Sequence, residues 1–176
     1  VPVDNLGFWW SHNLSIDTIN GYAYLESENV LGTSIAIHSL AANPLNPVFV
    51  NSFGPGDVHD VLATDDTVYV AEGWLRGFSI YDLANKMAPV LLARVAVPTG
   101  GYLHNIWPTP DRHYVATTEE TANHTIKIWD IQNLANIQLA GEYIAASGLA
   151  HNVHFGGDTL YVSHYTSGTT VVDCGD

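Results

Sequence analysis

The sequence predicts an all-β fold built from four repeats of about 46 residues, each forming a four-stranded antiparallel sheet. The first observation is a motif of His, then Asn or Asp, then an aliphatic residue. It begins at His12, His59, His104 and His151, and so recurs after 47, 45 and 47 residues. The second observation is that a turn and a Tyr-containing β-rich segment follow each motif. Four short strands per repeat at this period are typical of a β-propeller blade.

The strands of each repeat follow in a fixed order. The first two form a predicted hairpin around a turn-forming pair; these pairs are Asn20-Gly21, Asp65-Asp66, Pro110-Asp111 and Gly157-Asp158. A third run is β-branched and alternates in polarity, which favours a strand; it occurs at 34–37, 78–82, 125–130 and 170–173. A fourth run follows a polar loop, at 46–50, 88–92 and 137–140.

The two ends of the sequence suggest one domain over 1–176. The last repeat shows three strands and stops at Asp173, while Val1-Pro2-Val3 precedes His12 much as Pro47 precedes His59. We therefore interpret 1–11 as an orphan or ring-closing fourth strand, because pairing it with the last repeat would remove exposed edges. Four blades could be a complete small propeller or a fragment of a larger ring, and the sequence leaves both open.

Composition and charge narrow the class of protein. The chain is 47% hydrophobic and only 13% charged, which excludes disordered, coiled-coil and collagen-like chains. Five Lys and Arg against 18 Asp and Glu give a net charge of −13, which predicts cationic rather than nucleic-acid partners. No apolar run is long enough to predict a membrane span. The single cysteine, Cys174, excludes an internal disulfide or a Cys-based zinc cluster.

Four segments carry a family resemblance. They are FSIYDLAN at 78–85, PVL at 89–91, HNI at 104–106 and HYVA at 113–116. Together they resemble the LVIVD repeat of bacterial secreted propellers, including those called choice-of-anchor B proteins. The resemblance covers almost the whole chain and implies a secreted propeller, extracellular or periplasmic. It implies no particular activity, because the family is defined by its repeat.

The four motif histidines are the main candidate site. The innermost strand of each blade lines the central channel, so His12, His59, His104 and His151 are expected to face one axis. Imidazoles gathered in this way suit a divalent or transition metal. The alternative is architectural: each His would hold its own blade by hydrogen bonds, with the adjacent Asn or Asp fixing the turn.

Hairpin geometry predicts partners for these histidines, since residues equally far from a turn lie side by side. The construction places Glu72 across from His59 and Glu26 near His12. It also places His164 near His151. Near His104 it places Thr117 or Thr118, with Glu119 and Glu120 just beyond. We expect His164, Glu26 and Glu72 to join the motif histidines in a metal site; the alternative is that the carboxylates only pair with His or face water.

Loop residues form a second set of candidates, for a partner or ligand surface. They are Trp74, Arg76, Trp107, Glu119 and Glu120. Exposed Trp stacks well on sugars and side chains, although packing between blades uses the same residue types.

Three functions follow. The favoured one is a secreted, non-catalytic module that binds a protein, a glycan or a cation. The second is a metalloprotein or metalloenzyme with a histidine ring at the axis. The third is a subunit of a larger propeller or assembly. No catalytic motif stands out, so the sequence favours a protein that is not an enzyme without deciding the question.

Overall fold

The computed structural model describes residues 11–26, 35–98, 100–146 and 148–175, which form four antiparallel sheets. Each sheet corresponds to one repeat, and the predicted all-β class is confirmed. We call the sheets blades 1 to 4 in chain order. The only helical element in the described ranges is a 3₁₀ turn at Tyr165–Ser167, and no helix there could cross a bilayer.

The strands run in sequence order within each blade. Blade 1 contains β1 Leu14–Asp17, β2 Tyr22–Glu26, β3 Ile35–Ser39 and β4 Val48–Phe53. Blade 2 contains β5 Asp60–Thr64, β6 Thr67–Ala71, β7 Gly77–Asp82 and β8 Val90–Ala96. Blade 3 contains β9 Leu103–Pro108, β10 Tyr114–Glu119, β11 Ile126–Asp130 and β12 Gln138–Tyr143. Blade 4 contains β13 Val153–Gly156, β14 Thr159–Ser163 and β15 Thr169–Asp173.

The first hairpin of each blade turns where the sequence predicts. Asp65 and Asp66 connect β5 to β6 with φ of 50° and 59°, the two left-handed conformations that a tight hairpin turn requires. Gly21 and Gly157 take positive φ in the equivalent turns of blades 1 and 4. In each blade, this turn places the motif residues at the start of the first strand beside the residues at the end of the second strand.

The hydrophobic core lies in three layers, one between each pair of consecutive blades. The first layer joins Tyr24 and Ile37 of blade 1 to Val61 and Val70 of blade 2. The second joins blades 2 and 3, and the third joins blades 3 and 4. The innermost strands β1, β5, β9 and β13 therefore lie next to one another in order.

The four described sheets do not close into a ring. The sequence predicts a ring-closing or orphan strand at 1–11, of which residues 1–10 lie outside the described residues. The arrangement of the inner strands is what positions the candidate site, because each motif histidine lies in or just before one of them.

Candidate metal centre

The motif histidines of all four blades stack in one column. Ring centroids are 4.7 Å apart between His12 and His59, and 4.0 Å apart between His59 and His104. The separation between His104 and His151 is 3.9 Å. Each ring belongs to a different blade, so the column crosses all three blade boundaries.

A belt of amide and carboxylate groups fixes the column from behind. The second motif residues of blades 1, 2 and 3 each reach the neighbouring blade. Asn13 Nδ2 donates to Asp60 Oδ1 at 2.5 Å, and Asn105 Nδ2 donates to Asp60 Oδ2. Asn105 Oδ1 in turn accepts the backbone N–H of Val153 at 2.9 Å. Burial raises the pKa of Asp60 to about 6, although the hydrogen bonds from Asn105 and Val61 oppose that shift.

Hydrogen bonding and burial prepare the imidazoles as neutral ligands. His59 Nδ1 lies 2.9 Å from the carbonyl oxygen of His104. Since a carbonyl only accepts, Nδ1 of His59 carries the proton. Burial lowers the pKa of His104 to about 3, with the charges of His59 and His151 acting in the same direction. Burial also lowers the pKa of His59. Neutral imidazole is the form that binds metal.

One carboxylate reaches the column, at the end formed by blades 3 and 4. Glu120 Oε2 lies 3.6 Å from His104 Nε2, and Glu120 Oε1 lies 4.0 Å from His151 Nε2. The three ligand atoms lie within 4.8 Å of one another. Among the residues that the structure describes, this is the one group of three or more His, Cys, Asp or Glu side chains with that property.

Two further groups hold this end in place. The Tyr165 hydroxyl donates to Glu120 Oε1, and this bond raises the pKa of Tyr165, so the hydroxyl keeps its proton. The Tyr165 ring also meets the His151 ring edge-on, at 5.4 Å and 89°. The Thr118 hydroxyl donates to the His151 carbonyl oxygen at 2.5 Å, which ties blade 3 to the loop that carries His151.

A register shift explains why Glu120 reaches the column. Thr118 pairs with Asn105, but the next residue, Glu119, pairs with Leu103. His104 is therefore the extra residue of a β-bulge, a device that re-aims side chains next to functional sites. The Glu120 backbone N–H then bonds to the Tyr102 carbonyl oxygen at 2.9 Å, which places Glu120 just beyond the strand end.

The glutamates at the ends of the second strands have other partners. Glu72 lies opposite His59 in register, because Asp60 pairs with Ala71. Its fully buried side chain accepts from Arg94 Nε at 2.7 Å and from Nη2 at 2.6 Å. Glu26 lies opposite Asn13 rather than His12, and its Oε1 accepts the Asn13 N–H at 2.9 Å.

Glu119 and His164 occupy the equivalent positions in blades 3 and 4. Glu119 is buried and lies 2.5 Å from Lys127 Nζ and 3.0 Å from His124 Nδ1. His164 is buried opposite His151 in register, directly before the turn that carries Tyr165. Together with Glu72 and Glu26, these residues form a second, buried tier beside the column.

The predicted partner residues are dispersed. Trp74 is exposed and its ring lies 4.7 Å from that of Tyr102, whose edge meets His59 at 5.3 Å. Arg76 is exposed in the adjoining turn. Trp107 lies in strand β9, half-buried, with its ring 4.3 Å from that of His154. Only Glu120 of this set reaches the motif histidines.

The geometry suits a four-coordinate metal ion. Zinc bonds of about 2.0–2.2 Å to nitrogen and oxygen place tetrahedral ligand atoms about 3.3 Å apart. The two separations from Glu120, 3.6 Å to His104 and 4.0 Å to His151, lie above that value, and all three ligand atoms lie within 4.8 Å of one another, so the three side chains would have to move closer together around an ion. Two imidazoles, one carboxylate and an open fourth position form the ligand set of many zinc sites that bind a further ligand.

Sequence reasoning missed Tyr165 and Tyr102 and gave Glu120 only a partner-loop role. Two features of the sequence could have indicated these roles. The tandem Glu119-Glu120 places one carboxylate beyond the strand end, and Tyr165 directly follows His164. The sequence carried no signal for the bulge at His104.

Comparison with known proteins identifies the fold. No family model matches the chain, and no curated protein matches it significantly in sequence. A protein from Lactobacillus plantarum superimposes with a TM-score of 0.70 at 14% identity, over 94% of this chain and 56% of its own. A Bacteroides fragilis protein, named for a suggested 6-phosphogluconolactonase activity, superimposes with a TM-score of 0.74 at 13% identity. The match covers 93% of this chain and 50% of that protein. The computationally designed Ika4 protein superimposes with a TM-score of 0.68 at 13% identity, over 92% of this chain and 89% of its own.

At these identities, the structural similarities show the fold but no function. The chain spans about half the length of the two natural proteins. The resemblance to LVIVD repeats stays a prediction, since no family model supports it. The chain has a β-propeller-type fold made of antiparallel blades, three of them four-stranded and the fourth with three strands in the described residues.

Proposed function

We propose that this chain is a propeller-type binding module that takes up one divalent transition-metal ion between His104, Glu120 and His151. The observation that carries the proposal is the convergence of their three ligand atoms within 4.8 Å. The two rings come from different blades, so a bound ion would also fasten blade 3 to blade 4. We propose a binding role and no turnover.

Charge and preorganisation support the proposal. His104 is neutral at physiological pH because burial lowers its pKa to about 3, so metal does not compete with a proton there. The net charge of −13 raises the local concentration of cations. Imidazole and carboxylate together suit Zn²⁺ and its neighbours in the first transition row better than Ca²⁺ or Mg²⁺, which prefer oxygen ligands alone.

The test is a titration of chelator-treated protein with Co²⁺, followed by its visible absorption, and with Zn²⁺, followed by calorimetry. We expect one ion per chain and intense tetrahedral Co²⁺ bands. Glu120→Gln should weaken binding at least tenfold and remove those bands. His12→Ala is the matched control, because it removes an equivalent motif histidine from the end of the column that Glu120 does not reach. Equal losses in both variants would contradict the proposal.

A second candidate, a stacking surface for a sugar ring or a similar flat ligand, rests on Trp74. Its exposed ring lies against Tyr102, and the neighbouring Leu75 is also exposed. A large exposed aromatic ring supported by a second one is a typical stacking platform. Quenching of Trp fluorescence by glycans, lost in Trp74→Ala, would support this candidate, and unchanged quenching in that variant would reject it.

The localisation of the protein is a proposal as well. We propose an extracellular or periplasmic protein on the low Lys and Arg count and on the resemblance to secreted LVIVD propellers. Detection of the protein in culture supernatant or periplasmic extract would test it.

A further inference from the structure

A cavity of about 440 Å³ lies between blades 2 and 3, beside the turns that follow their first strands. Ile80 and Leu92 of blade 2 and Ile131 and Leu134 of blade 3 form its apolar walls. Such a volume is in the range of small-molecule sites. The motif histidines precede or begin the first strands, whereas these turns follow them, so the cavity lies at the other end of the blades from the imidazole column.

The equivalent space between blades 1 and 2 is filled by one side chain, Lys86. Its ammonium group donates to the Leu83 carbonyl oxygen at 2.7 Å and to the Asp66 carboxylate. The ammonium nitrogen also lies 4.4 Å from the centre of the Tyr22 ring of blade 1, a cation–π contact. The Lys86 side chain is only 9% exposed. This boundary is therefore closed by a cation, a carboxylate and an aromatic ring.

Both bulky groups are replaced by smaller ones at the boundary between blades 2 and 3. Lys86 corresponds to Leu134, because each is the fourth residue after the Asp that ends the third strand. Tyr22 corresponds to Thr67, because each begins the second strand of its blade. Leu134 and Thr67 both line the cavity. The space that a lysine and a tyrosine fill at one boundary is therefore open at the next.

The carboxylate is replaced as well, by basic groups. In blade 2 the Leu83 N–H bonds to the Asp66 carbonyl oxygen at 2.8 Å. In blade 3 the Ile131 N–H bonds in the same way to the His113 carbonyl oxygen at 2.9 Å, so His113 takes the place of Asp66. The longer turn of blade 3 adds Arg112, which lines the cavity beside His113. The acidic group of the first space thus has basic counterparts in the second.

Arg112 is placed to bind an anion in the cavity. Its Nη2 lies 3.3 Å from Asp65 Oδ2, a contact between partly exposed groups. A guanidinium has five N–H donors, so this contact leaves others for a ligand. Burial raises the pKa of Tyr69, and the charge of Arg112 opposes that shift, so the guanidinium acts on the buried Tyr69 side chain that also lines the cavity.

The charge of the whole protein limits which anions can bind. A net charge of −13 repels an anion in solution, so a small ion without apolar surface gains little from one arginine. An apolar tail buried against the four aliphatic walls adds the hydrophobic contribution that the charge lacks. Arginine in turn favours a carboxylate, which it can bind through two parallel hydrogen bonds.

We propose that this cavity binds a small carboxylate with an aliphatic tail, the carboxylate on Arg112 and the tail between Leu92 and Leu134. The comparison of the two boundaries carries the proposal, since the same space is plugged by a lysine at one and is open, aliphatic and basic at the other. The inference does not depend on metal binding.

The experiment is a titration of the whole chain, labelled with ¹³C at its Leu and Ile methyl groups, with hexanoate and observation by NMR. We expect saturable shifts at Leu92 and Leu134, and nuclear Overhauser effects from the hexanoate chain to the same methyl groups. Acetate lacks the tail and hexan-1-ol lacks the charge, so each should bind at least tenfold more weakly than hexanoate.

Two variants test the two halves of the site. Arg112→Gln should weaken hexanoate binding at least tenfold and leave hexan-1-ol binding unchanged. Thr67→Tyr restores the ring that blade 1 carries at this position, and it should weaken the binding of both ligands at least tenfold by filling the cavity. Thr159→Tyr is the matched control, because Thr159 begins the second strand of blade 4 and lies outside the cavity.

The absence of saturable shifts at these methyl groups would overturn the proposal, as would equal affinities for hexanoate and hexan-1-ol. Unchanged hexanoate affinity in Arg112→Gln would also overturn it, and so would equal losses in Thr67→Tyr and Thr159→Tyr. Should the larger side chain prevent folding, Arg112→Gln still decides the question, since it alters a partly exposed side chain.

Discussion

The two ends of the imidazole column are made by the same repeat motif, yet among the described residues only one end resembles a metal site. At the end formed by blades 3 and 4, Glu120 lies 3.6 Å from His104 and 4.0 Å from His151. At the end formed by blades 1 and 2, the nearest equivalent carboxylate, Glu72, is buried in an ion pair with Arg94.

The difference lies in one irregularity. The bulge at His104 shifts the register of blade 3, and the chain carries a second glutamate directly after the position that Glu72 occupies in blade 2. The repeat therefore places the imidazoles, and a local departure from the repeat supplies the third ligand. Glu119 keeps the structural role of Glu72, which leaves Glu120 available.

Removing the partner of Glu72 should have the largest effect on stability. Arg94→Met leaves a buried carboxylate without its cation, and we expect the free energy of unfolding to fall by about 3 kcal/mol. Glu120→Gln should change it by less than about 0.5 kcal/mol, because Glu120 is partly exposed and can be hydrated. Urea denaturation of the metal-free proteins measures both values. Similar losses in the two variants would contradict the division of roles.

The buried His104 should make the metal-free protein sensitive to acid. Its pKa is about 3 in the fold and near 6.5 when unfolded, so below pH 6.5 the unfolded chain takes up a proton that the folded chain does not. This group alone should lower the free energy of unfolding by about 3 kcal/mol between about pH 7 and about pH 4.

The comparison with His104→Gln isolates that contribution. Asp60 acts in the opposite direction, because its raised pKa of about 6 makes the folded chain bind a proton first as the pH falls. Since Asp60 is present in both proteins, the difference between their unfolding curves reports His104. The variant should lose less stability in acid than the wild type, and parallel pH profiles would show that His104 is not held neutral by the fold.

Metal should stabilise the fold through the same end of the column. At a free Zn²⁺ concentration of about thirty times the dissociation constant, binding to the folded chain alone adds about 2 kcal/mol. Thermal unfolding should show a higher midpoint with Zn²⁺ in the wild type and in His12→Ala, and no rise in His151→Ala. A rise that persists in His151→Ala would place the stabilising ion elsewhere.

The smallest expected effect concerns the residue that orients Glu120. Tyr165→Phe removes the hydroxyl that donates to Oε1 but keeps the ring against His151. Loss of such a supporting hydrogen bond typically weakens metal affinity at least tenfold. Calorimetric titration with Zn²⁺ measures the change. Tyr161→Phe, at an exposed tyrosine of strand β14, serves as the control and should leave the affinity unchanged.

Much of the fold follows from the repeat. The period of the His motif predicts the blades, and the turn pairs predict the hairpins, because both depend on local sequence. The hairpin construction also gives the register opposite His59 and His151. It misplaces Glu26 by one residue: Glu26 lies opposite Asn13 and not opposite His12. The centre of the turn in blade 1 differs from the centre that the construction assumes.

The candidate site was less accessible to sequence reasoning. Register shows which residues are neighbours but not which way a long side chain points, and Glu72 turns to an arginine two strands away. The partnership of Glu120 with Tyr165 joins two blades across 45 residues of sequence, and it depends on a bulge and a 3₁₀ turn that no local pattern marks. The architectural alternative had the second motif residue fix a turn, whereas Asp60 accepts hydrogen bonds from the amides of both neighbouring blades.

The most direct test of the metal site is anomalous diffraction at the zinc absorption edge, from crystals of chelator-treated protein supplied with one equivalent of Zn²⁺. We predict a single strong peak about 2.0–2.2 Å from His104 Nε2, His151 Nε2 and a carboxylate oxygen of Glu120. A peak that lies elsewhere, for example beside the exposed pair of Asp111 and His113, would contradict the account, as would the absence of any peak.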